Sequence, residues 1–182
     1  MKKNDQIILE ITAMSSEGSG IGRHEGIAVF VPLTAIGDIA EVLILKVKPN
    51  LAFGKLIRII TPSPDREENT CPAFSKCGGC VYRHISYSKE CEIKQKRVED
   101  AILRIGGIDK KAEHINYGTS QRYRNKAQYP VNENGSCGFF ANHSHRIIPC
   151  EDCHLQPVEF AKISRVFEDF IKEKVLKEAI VL

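Results

Sequence analysis

The stretch EGSGIGRHEGIAVFVP, residues 17–32, admits two opposed folds. Gly18-Ser19-Gly20-Ile21-Gly22 is spaced like a dinucleotide-binding loop, but such a loop must open a helix inside a β-α-β unit. Here the next segment is the β-type run Ile27 to Val31, bounded by Gly26 and Pro32. The glycines therefore read as turns in an all-β unit, and no nucleotide site is assigned to them. On either side, Gln6 to Ala13, Glu41 to Val47 and Leu56 to Ile60 are further short strands. Gly37-Asp38, Pro49-Asn50 and Gly54 punctuate them. Short strands at such spacing predict a compact barrel over residues 1–62.

Residues 63–70, preceded by Pro62 and containing Pro64, have no apolar periodicity and read as a linker. From Cys71 the grammar changes, and 71–182 reads as a second, α+β domain. A helix is predicted from about Ser88, as its cap, to Ile105, with Cys91, Val98, Ile102 and Ile105 on one face and Gly106-Gly107 ending it. Tyr123 to Val131 reads as a strand, Asn134-Gly135 as a hairpin turn, and Cys137 to Phe140 as the return. A last helix starts near Pro157 with an apolar stripe of Phe160, Ile163, Phe167, Phe170 and Ile171.

Composition excludes several classes. Of 182 residues, 42% are hydrophobic and 27% charged, too apolar for a disordered chain. There is no run long enough to span a bilayer and no apolar segment after MKKNDQ to act as a secretion signal. The expectation is a soluble, cytoplasmic monomer without membrane or DNA partners. The net charge of +3 is spread evenly along the chain, so any nucleic-acid contact must come from local patches.

Seven cysteines, an odd number in a chain without a signal peptide, argue for metal or catalytic chemistry over disulfides. Cys71, Cys77 and Cys80 form C-x5-C-x2-C around Gly78-Gly79, a soft thiolate set suited to iron–sulfur or zinc. A tetrahedral site needs a fourth ligand from Cys91, Cys137, Cys150, Cys153, His84 or His154. Cys91 is more simply a buried small hydrophobe. Arg122, Tyr123, Arg124, Lys126 and Tyr129 put three cations and two aromatics within eight residues, a set that can pair phosphates and stack unpaired bases. Lys46, Lys48, Lys55 and Arg58 form a second, weaker patch on the barrel.

Ordered blocks along nearly the whole chain resemble the bacterial RNA (uracil-5-)-methyltransferases that carry a TRAM domain and a [4Fe-4S] cluster. They are 17–32, Gly37-Asp38, KVKPNLAFGKL (46–56), SPDR (63–66), CPAFSKCGGC (71–80), HISY (84–87), KQKRVEDAILRIGG (94–107), YRNKAQYPV (123–131), SHRII (144–148) and CHLQ (153–156). The resemblance implies an OB-like five-stranded TRAM barrel that binds RNA, then a central iron–sulfur domain. It implies cluster ligands Cys71, Cys77, Cys80 and Cys153, with Cys150 as the competitor for the fourth place. It makes Arg122, Tyr123, Arg124, Lys126, Lys46 and Lys48 the expected RNA contacts, with 23S ribosomal RNA favoured over transfer RNA.

C5 methylation of uracil needs a thiolate that adds to C6, a bound S-adenosylmethionine and a base that removes the C5 proton. In the resembling enzymes these belong to a doubly wound α/β domain. No segment here matches it, so no catalytic residue and no donor site is expected within the 182 residues, and the chain alone is expected to be inactive. The alternative is a self-standing, non-catalytic RNA-binding module holding an iron–sulfur cluster or zinc.

Overall fold

A computed structural model describes residues 1–175. The chain divides into two compact units that do not follow chain order: Met1–Glu68 with Val81–Tyr117, and Asn69–Cys80 with the chain from Gly118 onward.

The first unit is built on a six-stranded sheet of β1 (Gln6–Glu10), β2 (Ala13–Met14), β3 (Gly20–His24), β4 (Ile27–Val31), β5 (Ile39–Lys48) and β6 (Leu51–Thr61), in the order β1-β5-β6-β4-β3-β2. Alternation decides which way the strands face. Val29, Val31, Ala40, Val42, Ile44 and Ala52 point inward with Leu9 and Ile11 to form a fully buried core. β1 and β2 are two halves of one bent strand. β1 pairs antiparallel with β5 (Gln6↔Leu43), and past the bend Thr12 N–H donates to Ile21 O at 2.9 Å as β2 joins β3. The sheet thereby curls back on itself, with six strands in place of the expected five, because the first strand is broken at the bend into β1 and β2. A Cβ added at Gly22 would collide with Glu10 O and lie 2.6 Å from Leu9 Cγ. The glycine of the opening motif thus serves the close approach of β1 to β3.

Asp38, wholly buried, organises the chain after the barrel. Its carboxylate accepts from Ala35 N (2.5 Å), Ser63 N (2.9 Å), Arg66 Nε (2.8 Å) and Arg66 Nη2 (2.7 Å), while Nη2 also donates to Leu33 O at 2.9 Å. Leu33 is held at φ +65°, where L-residues are strained. Residues 63–68, expected as linker, are therefore fastened to the barrel. Ser86 N donates to Asp65 O and Glu67 N to His84 O, bringing in α1 (Tyr87–Arg104).

The cap of α1 is Ser86 rather than Ser88: its side chain accepts from Lys89 N at 3.3 Å. Of its expected apolar face only Cys91 is buried, while Val98 is 53% and Ile105 88% exposed. Periodicity finds the helix, but the expected face is not a core face, because among the described residues little beyond Cys91 is covered.

In the second unit the expected strand 123–131 does not form a ladder. Arg122 N and Arg124 N donate to His154 O and Leu155 O, and only Val131 bridges to Cys137. Pro130 has no N–H to give to a sheet, although its carbonyl accepts from Gly138 N at 3.1 Å. The turn at Asn134-Gly135 is present, with Gly135 at φ +74°. The return segment, β7 (Gly138–Phe140), pairs instead with β8 (Ile147–Pro149). α2 (Val158–Phe170) begins after Pro157 and continues as a π-helical turn, Ile171–Val175. Its stripe is not core: Phe160, Ile163 and Phe167 line an open groove of about 370 Å³, and Phe167 and Phe170 are exposed. No helix among the described residues is long and apolar enough to cross a membrane.

Candidate functional site

The cysteine loop is held by backbone, not by a regular element. Cys71 N donates to Asn69 Oδ1 at 2.9 Å and Cys77 N to Ala73 O at 2.7 Å. Gly78 N donates to Phe140 O at 2.9 Å, and Cys77 bridges to Ala141. A Cβ at Gly78 would sit 3.0 Å from Asn142 Cα, so the hairpin β7–β8 can seat this loop closely only with glycine there. Cys71 and Cys77 pack on Ala73, Ala141 and Ile148.

Cys150 and Cys153 approach the same place from β8 and the loop after it. Cys150 N donates to Cys137 O at 3.2 Å, and Gln156 N to Cys153 O at 2.9 Å. The Cys150 and Cys153 side chains share a hydrogen bond. That bond, aided by the Leu155 N–H, brings the Cys153 thiol down to about 6, whereas Cys150 is pushed up by the same bond and by burial. Burial also pushes up Cys77, against a 3.3 Å bond from Gly79 N to its Sγ. Cys71, Cys77 and Cys153 all lie within electrostatic reach of Cys150. Cys71 and Cys77 thus sit against the β7–β8 hairpin and Cys150 and Cys153 follow it in the chain, with Cys80 half-buried at the end of the loop, while Cys91 belongs to the other unit and Cys137 is buried.

Among the described residues no group of three or more His, Cys, Asp or Glu side chains is arranged to hold a metal ion. The donor chemistry nonetheless fits a thiolate-bound cluster. Backbone N–H groups from Gly79 and Leu155 point at two of the sulfurs, and such bonds stabilise thiolate over thiol and tune iron–sulfur centres.

Sequence reasoning missed how this loop is framed. Arg122, expected at RNA, is at φ +56° and its guanidinium grips Asp152 with two bonds, Nη1–Oδ1 2.6 Å and Nη2–Oδ2 2.8 Å. Nη1 also donates to Cys153 O and Gln156 O. Its Nη1 and Nη2 groups thus bind the 152–156 loop, and Asp152 is held below the usual carboxylate range by this partner. Gln156 is buried and its Oε1 accepts from Tyr129 Oη. Desolvation pushes the Tyr129 phenol up to about 12. A lone glutamine after CHL was the available signal. Tyr123, Arg124 and Lys126 are exposed, as are Lys46 and Lys48 on the barrel.

Residues 5–57 match the TRAM domain family. The TRAM region accounts for the barrel, and similarity to longer proteins extends past it. The chain is 41% identical over 177 residues to an uncharacterized RNA methyltransferase of Clostridium tetani, covering 95% of this chain and 38% of that protein. It is 36% identical over 178 residues to another of Halalkalibacterium halodurans, covering 95% and 39%. The chain therefore spans well under half the length of these curated relatives. A crystal structure of the Pyrococcus abyssi tRNA (uracil-54, C5)-methyltransferase with S-adenosyl-L-homocysteine has the same fold over 91% of this chain and 37% of that one, with a TM-score of 0.62 at 21% identity. None of these likenesses bears on the expected inactivity of the chain by itself.

Proposed function

We propose that these residues are the RNA-binding and iron–sulfur portion of an S-adenosylmethionine-dependent RNA uracil-C5 methyltransferase. The observation that carries this reading is that the 71–80 loop is hydrogen-bonded to the β7–β8 hairpin, which runs directly into Cys150 and Cys153, in a chain whose relatives are RNA methyltransferases. Cys71, Cys77, Cys80 and Cys153 would hold a [4Fe-4S] cluster, which supplies bonds that tie two remote segments together. The chain's own part is to order that site: Arg122 clamps the turn bearing Cys153, and Gly78 lets the loop seat on β7–β8. Tyr123, Arg124, Lys126, Lys46 and Lys48 then engage RNA, with 23S ribosomal RNA favoured as substrate. S-adenosylmethionine serves the reaction, and none of these residues is assigned to hold it.

The test is anaerobic purification followed by iron and sulfide analysis and a visible spectrum. The expected result is absorbance at about 400 nm, lost in Cys153→Ser and kept in Cys91→Ser and Cys150→Ser. Full iron content in the Cys153 variant overturns the ligand assignment. A colourless protein that retains zinc overturns the cluster.

A further inference from the structure

The outer face of the barrel carries an aromatic pair that the sequence does not bring together. Phe30 on β4 and Phe53 on β6 are opposite one another in the one parallel pairing of the sheet, their ring centroids 5.8 Å apart. Their neighbours Val29, Val31, Ala52 and Gly54 face the core, so the two rings face out, with Phe53 38% exposed. Lys46 stands directly across from Phe53 on β5. The Lys48 ammonium lies 5.6 Å from the Phe53 ring centroid, and Lys55, two residues on, shares its face.

Charge on this face is one-sided although the chain as a whole is nearly balanced. Strands β3, β4 and β6 contain no acidic residue, and the single acid of β5, Glu41, is taken by Arg58 at 2.6 Å. The three lysines are thus uncompensated by any carboxylate on these strands. A solvated charged face does not need an exposed phenylalanine ring backed by a second, half-buried one. A protein-docking face does not need three lysines around them. Both features together match a flexible polyanion whose repeating unit has a flat, stackable ring.

We infer that Phe53, backed by Phe30, is a stacking platform for an unpaired base of single-stranded RNA, with Lys46, Lys48 and Lys55 holding the flanking phosphates. This rests on the proposal that the chain binds RNA, and it adds the aromatic residues and the face. A base laid on the Phe53 ring stacks on a surface held rigid by the sheet. The Lys48 ammonium, which sits over the ring, swings aside on its flexible stem, and Lys46 and Lys55 reach out around the base. Duplex RNA offers no free base face, so the platform discriminates against it.

The test uses the 182-residue chain and a fluorescently labelled oligouridine of about ten nucleotides, read by anisotropy over a salt series. Phe53→Ala is expected to weaken binding about 5- to 150-fold, the range for losing one base–aromatic stack. Phe53→Trp restores it with an unchanged circular dichroism spectrum, which separates stacking from folding. Replacing both Lys46 and Lys48 by Ala lowers the salt slope by about 1.4, with the aromatic contribution intact. Equal affinity of the parent and Phe53→Ala for oligouridine overturns this inference alone. Equal affinity of the parent for duplex and single strand overturns it too. A parent chain that binds no oligouridine overturns the RNA reading itself, and this platform with it.

Discussion

Arg66→Met removes the guanidinium from the buried Asp38 latch while keeping the aliphatic stem. Three bonds go at once: two charge-assisted ones to Asp38 and one to Leu33 O. Asp38 keeps the N–H groups of Ala35 and Ser63 but becomes a buried carboxylate without a counter-charge. Breaking one side of a buried pair costs about 3–5 kcal/mol, and the 21% exposure of Arg66 places this case at about 3 kcal/mol. For a unit of this size that lowers the melting temperature by about 12–20 °C.

The pH dependence gives a sharper test. Burial on its own raises the Asp38 carboxyl, but the bonds from Arg66, Ala35 and Ser63 and the Arg66 charge outweigh it and hold it below the usual carboxylate value. A depressed carboxyl stabilises the fold above its unfolded pKa of about 3.9, and that stability is lost as pH falls through the lower folded value. The gap between parent and Arg66→Met, measured by urea unfolding monitored with circular dichroism, is therefore expected to be full at neutral pH and to shrink towards acid. A gap within about 0.5 kcal/mol at neutral pH, or one that stays constant into acid, refutes the latch.

Gly22→Ala places a methyl against Glu10 O and is expected to cost more than about 2 kcal/mol in chemical denaturation, because strand backbone must move. Gln156→Leu leaves the Tyr129 hydroxyl without its acceptor and should cost about 1–3 kcal/mol in the second unit. The tyrosine titration, read by ultraviolet absorbance, is the companion measurement: burial, then the charges of Cys153, Cys150, Asp152 and Cys137, raise the Tyr129 phenol, so it is expected still to titrate near 12 in that variant.

What can be read from the residues depends on how local the determining interaction is. The barrel strands are legible because alternation such as Val29-Phe30-Val31 records which side meets the core. The 17–32 glycines are legible as turns because a strand-forming run, not a helix-forming one, comes directly after them. Strand 123–131 is misleading because its composition is β-like while Pro130 removes a donor the ladder requires. Arg122 looks like an RNA residue because charge and aromatic neighbours are visible in sequence, whereas its partner Asp152 is 30 residues away. The Phe30–Phe53 pair is invisible for the same reason, since parallel pairing joins residues with no local signature.

The strand order has a kinetic consequence. β6 lies between β5 and β4, so the last barrel strand to be synthesised is the one that both halves of the sheet need. The hairpins β3–β4 and β5–β6 are local and can form early, but their union across the β4–β6 seam is a loop closure of more than twenty residues. On the ribosome the barrel therefore waits, half-assembled, until the chain past residue 61 has emerged. The β1–β5 pairing closes a longer loop still, so a substitution in either of these non-local pairings should change the folding rate more than one in either hairpin turn.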